Sequence, residues 1–141
     1  MKRFLVTLSF LSILTISGLS QADTISFWHV YLDSKEIAEF SVITEKPKVE
    51  IMTTDLSKNS ILTVKYFRDT PCQSCRTYVT ICNSKDDIIF KIKGSGTLNM
   101  LNLKLKRLVD LFSKTKDSTF ILYYKEPPYH NQFLFTLTFK K

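Results

Sequence analysis

The chain has 141 residues, with 20 Lys and Arg against 13 Asp and Glu, a formal net charge of +7, 44% hydrophobic residues and 23% charged ones. A disordered chain combines low hydrophobicity with high charge, so that class is excluded. Three Gly and four Pro exclude collagen-like and low-complexity repeats, and the length points to one domain.

The first segment reads as a leader. Met1-Lys2-Arg3 is basic, residues 4–19 are uncharged and mostly apolar, and Ser20-Gln21-Ala22 puts small residues three before and one before a cut ahead of Asp23. That is the layout of a secretory signal peptide. The apolar stretch is about 16 residues, short of the roughly 20 that a spanning helix needs. The expectation is therefore cleavage after Ala22, export to the periplasm or the extracellular space, and no stable membrane span afterwards. The remaining domain, 23–141, has 119 residues; Lys2 and Arg3 leave with the leader, so 18 basic residues face 13 acidic ones, a charge of +5. Such a charge is ordinary for a soluble domain. Without a clustered basic face, nucleic acid is not expected as a partner.

Most of the remaining chain alternates with period two, the pattern of half-buried strands. Strands are expected at residues 25–32, 37–43, 48–52, 60–68, 76–82 and 87–93. Turn chemistry separates them: Asp33-Ser34-Lys35 after the first, and Asn83-Ser84-Lys85-Asp86 after the fifth, where Asn, Ser and Asp satisfy backbone groups locally. Gly94-Ser95-Gly96 breaks the pattern.

One helix is expected next, over about 98–113. Leu98, Leu101, Leu105, Leu108, Val109 and Phe112 fall on one face at 3.6 residues per turn, and Thr97 or Ser95 can cap the first turn. Leu101, Leu103 and Leu105 also alternate as a strand would, but the longer period and the propensities favour helix. Residues 119–125 and 133–139 close the chain as strands, with Phe133, Phe135, Leu137 and Phe139 expected on one buried face. The fold class is thus mainly β: about eight antiparallel strands in a two-layer sandwich or a strongly curved sheet, with one amphipathic helix before the last two strands.

Three cysteines remain: Cys72, Cys75 and Cys82. Along a regular strand Cys75 and Cys82 would stand about 23 Å apart, whereas a disulfide needs Cα atoms within about 7 Å. The feasible pair is Cys72–Cys75, a local disulfide, with Cys82 left as a buried free thiol. A redox dithiol would have its first Cys at a helix N-terminus, and the β-branched run 77–81 resists helix. A copper site is open to the same pair, because thiolates are soft donors. Zinc sites usually supply two close pairs, and one is present here. No metal or other cofactor is assigned.

Neither His29 nor His130 has an acid or nucleophile at a recognisable spacing, and there is no Gly-x-Ser-x-Gly elbow or phosphate-binding Gly loop. The sequence therefore reads as a non-catalytic binding or structural interaction module for an unspecified protein or small molecule. Tyr129 and His130, in the loop before the last strand, are the candidate contacts. The alternative is a thiol–disulfide or copper-handling protein built on Cys72 and Cys75.

Overall fold

The computed structural model describes residues 25–129 and 131–141. The leader expected over residues 1–22, and His130, lie outside the described residues. Nine strands run in chain order: β1 (Phe27–Leu32), β2 (Lys35–Ser41), β3 (Lys48–Met52), β4 (Ile61–Phe67), β5 (Arg76–Cys82), β6 (Ile88–Ser95), β7 (Leu101–Lys104), β8 (Thr119–Lys125) and β9 (Gln132–Lys140). One α-helix, α1 (Lys106–Thr115), lies between β7 and β8. Among the described residues no helix is long and apolar enough to cross a membrane.

The strands form two sheets. One has the order β2-β1-β4-β7 and the other β3-β9-β8-β5-β6. Every pair is antiparallel except β3 with β9, which is parallel. The β1–β2 connection shows why tight hairpins form: Asp33 and Ser34 both take positive φ, 48° and 70°, which matches the twist of the paired strands. The sheets face each other across one apolar core. Tyr66 of β4 stacks on Tyr124 of β8 at 4.1 Å between ring centroids, and Phe40 of β2 meets Phe135 of β9 at 6.0 Å. Trp28, Leu62, Ile81, Leu108, Leu122 and Leu137 are fully buried between them. Gly94 lets β6 and β7 approach, because a Cβ there would lie 2.5 Å from Leu101 and 2.7 Å from the Thr77 hydroxyl.

The expected helix over 98–113 is strand at Leu101–Lys104 and helix only from Lys106. Leu101 and Leu103 are buried while Asn102 and Lys104 are exposed. The segment pairs with β4, placing Leu62 opposite Leu103 and Val64 opposite Leu101. Period two won because a buried partner strand was available, which outweighs a propensity difference of a few tenths of a kcal/mol per residue. The helix starts only at Lys106, with Leu105 at its N-cap and no side-chain cap, so neither Thr97 nor Ser95 caps it. It ends where Lys116 turns left-handed (φ 59°) and its N–H returns to the Phe112 carbonyl. Leu108 fills the core and Phe112 stacks on Phe139 at 6.0 Å.

The last strand also departs from a single alternating row. The β8–β9 register shifts so that Leu122 faces Phe135 and Tyr123 faces Phe133, leaving Leu134 as an extra residue. This bulge buries both Leu134 and Phe135 and turns Phe133 to the Tyr123 face.

Candidate functional site

The loop between β4 and β5 carries Cys72 and Cys75, and the turn that follows β6 holds it in place. Gly96 N–H donates to the Cys75 carbonyl (2.8 Å) and Thr97 N–H to the Cys72 carbonyl (2.7 Å). Cys72 N–H donates to the Thr97 hydroxyl (2.7 Å). Gly96 sits at φ +78°, and a Cβ there would come within 2.7 Å of the Gln73 carbonyl oxygen. A side chain at this position would both strain the backbone and push the cysteine loop away.

Within this turn Cys75 N–H donates to Cys72 Sγ at 2.9 Å. The Cys72 thiol is held below the ordinary cysteine range, first by a hydrogen bond from the Cys75 thiol and then by the N–H groups of Ser74 and Cys75. Cys75 is pushed the other way, up to about 11, by burial first, then by Cys72 and by the nearby Glu126 carboxylate. Both sulfurs are thiols here, so the disulfide expected across Cys72 and Cys75 is not formed in this structure. Cys82 is 4% exposed at the end of β5, and burial raises its pKa.

Sequence reasoning missed Glu126. This carboxylate follows β8, is 3% exposed, and lies with Cys72 and Cys75 in a group whose ligand atoms are all within 4.8 Å of one another. Its Oε2 accepts hydrogen bonds from the Thr97 hydroxyl (2.7 Å) and the Tyr124 hydroxyl (3.0 Å). Its Oε1 lies 3.3 Å from Arg68 Nη1. A signal was available in the alternation: Phe120, Leu122 and Tyr124 point inward, and two residues further the same row reaches Glu126. An acid at an inward position is rare unless it is paired.

One depression borders this carboxylate and another borders the cysteine loop. One, of about 410 Å³, is lined by Tyr66, Arg68, Tyr124, Glu126 and Tyr129 among others. Tyr129 is 54% exposed at its edge, with the Arg68 guanidinium 4.3 Å from its ring centroid. The other, of about 230 Å³, is lined by Pro71, Cys72, Gln73, Gly96, Leu98 and Asn99, so Cys72 opens to a surface. The second expected loop contact, His130, lies outside the described residues.

His29 has acidic neighbours that its sequence spacing does not show. It stands half-buried on β1 with Nδ1 3.1 Å from Glu36 Oε2 on the neighbouring β2, and Glu39 completes a three-residue group. Strand pairing, not sequence spacing, brings these acids to it. Compared with protein-family models, curated proteins and solved structures, the chain matches none of them.

Proposed function

We propose that the protein is an exported thiol–disulfide exchange protein on a β-sandwich scaffold, in which Cys72 attacks a disulfide and Cys75 resolves the mixed intermediate. One observation carries this reading: Cys72 Sγ receives the Cys75 N–H at 2.9 Å inside a clamped turn, and the half-buried Cys72 lines a surface depression. The sequence-level objection was that no helix follows the motif. The turn itself supplies N–H donors that a helix N-terminus would offer, and such donors favour a thiolate. The attacking and resolving sulfurs also differ as the reaction needs, with Cys72 favoured and Cys75 disfavoured as thiolate. An oxidising compartment, expected from residues 1–22, would keep such a pair in use rather than permanently reduced.

The interaction-module reading keeps one supporting feature, the exposed Tyr129 beside Arg68 at the larger depression. Redox titration in glutathione buffers separates the two. The exchange reading expects a Cys72–Cys75 potential between about −270 and −120 mV, and a Cys72 alkylation midpoint below that of free cysteine. A potential below about −300 mV would make the pair a structural clip and return the interaction module to the front.

A further inference from the structure

We propose that Glu126 is the proton acceptor for Cys75, taking its thiol proton as Cys75 closes onto Cys72. The inference rests on the thiol–disulfide reading and supplies the base that reading needs. Burial and Glu126 both raise the Cys75 thiol and still act on it once Cys72 is tied up in the mixed disulfide, so the protonated form predominates at pH 7, whereas the thiolate is the attacking species. A neighbouring group must therefore remove the proton during attack.

The groups that face this position can be taken in turn. Cys72 sulfur is consumed in the mixed disulfide. The Thr97 hydroxyl is engaged twice, accepting from Cys72 N–H and donating to Glu126. Tyr124 already donates to the same carboxylate, and burial keeps its phenol and that of Tyr66 protonated. Arg68 has no acceptor, and Tyr129 accepts from Arg68 at 3.3 Å. The Glu126 carboxylate remains. It offers about four lone-pair sites, and Thr97, Tyr124 and Arg68 occupy three directions. The Cys75 sulfur, whose thiol donates to the Cys72 carbonyl at 3.9 Å, lies within 4.8 Å of the same carboxylate, and the fourth site is open to its proton.

The step balances. Cys72 thiolate attacks one sulfur of a partner disulfide, the partner S–S bond breaks, and the first partner thiolate leaves and takes a proton from water. Cys75 S–H then gives its proton to Glu126, and its sulfur attacks Cys72 Sγ. The Cys72–partner bond breaks and the second partner thiolate leaves. Glu126 passes its proton to that thiolate or to solvent. Two electrons have moved from the protein dithiol, now a Cys72–Cys75 disulfide, to the partner, now a dithiol.

A single-turnover experiment reads the two halves separately. Fully reduced protein is mixed with 5,5′-dithiobis(2-nitrobenzoate). The first released thiolate reports attack by Cys72 and the second reports resolution by Cys75. Mass spectrometry identifies the final Cys72–Cys75 disulfide, and buried Cys82 reacts outside both phases. E126Q is expected to leave the first phase within about twofold and to slow the second by about 100-fold, the scale of general-base catalysis. An unchanged second phase in E126Q overturns the proposal. Should E126Q not fold, the wild-type pH profile decides. With Glu126 as base the second phase stays nearly flat from pH 6.5 to 8.5, whereas a rise of about tenfold per pH unit means that solvent removes the proton. A wild-type protein that releases only one equivalent overturns the exchange reading itself, and with it the role of Glu126.

Discussion

At the scale of single residues, Cys75 has the most direct consequence for stability. Its thiol titrates near 11 in the fold against an ordinary value of 9.0, through burial and through Cys72 and Glu126. Between those two pH values the folded chain holds more protons than the unfolded one. Stability therefore falls as pH rises, beginning near pH 9 and ending near pH 11. Cys72 is shifted the other way, so its contribution is already complete above pH 9 and adds no slope there. Urea unfolding under reductant from pH 8 to 11 should show a shallower alkaline loss in Cys75→Ser than in the wild type. The raised pKa values of Cys82, Tyr66 and Tyr124 keep part of the slope in both proteins. Equal slopes would mean that Cys75 is not held protonated by the fold. The cysteine pair itself was legible from spacing, because only Cys72 and Cys75 can meet within one loop. Thr97 was not, since its role depends on a turn after β6 returning to the β4–β5 loop.

At the scale of elements, the segment after Gly96 shows where sequence periodicity is ambiguous. Leu98, Leu101, Leu105 and Leu108 satisfy a helical face, while Leu101, Leu103 and Leu105 satisfy a strand. The two registers assign opposite weight to Leu98 and Leu103. On a helix over 98–113, Leu98 is core-facing; in the fold it is 43% exposed, and Leu103 is 5% exposed against β4. Leu103→Ala should therefore cost about 2–4 kcal/mol, the range for emptying a buried Leu site. Leu98→Ala should change stability by less than about 0.5 kcal/mol. Denaturant midpoints at constant slope measure both, and the reverse order would return residues 98–105 to the helix. Strands with a single periodicity were legible nearly to the residue: 76–82 and 119–125 are β5 and β8 as expected. The β9 bulge was hidden, because Leu134 reads as an ordinary outward residue until its partner strand sets the register.

At the scale of the whole molecule, the dithiol site lies where the two sheets meet. Arg68 follows β4 of one sheet, Glu126 follows β8 of the other, and their ion pair ties the layers together beside the cysteine loop. Side-chain exposure is 14% for Arg68 and 3% for Glu126, so little water is available to replace either partner. Arg68→Met should destabilise the fold by about 3 kcal/mol, because it leaves a buried carboxylate without its cation. Adding E126Q to that variant removes the uncompensated charge, while Gln can still accept from Thr97 and Tyr124. The double variant is thus expected to be more stable than Arg68→Met alone, although it carries one more substitution. Two groups in contact should show such coupling, whereas distant groups add. Urea unfolding of wild type, both single variants and the double variant completes the cycle. A double variant less stable than Arg68→Met would show that Glu126 holds the sheets together through Thr97 and Tyr124 rather than through its charge on Arg68.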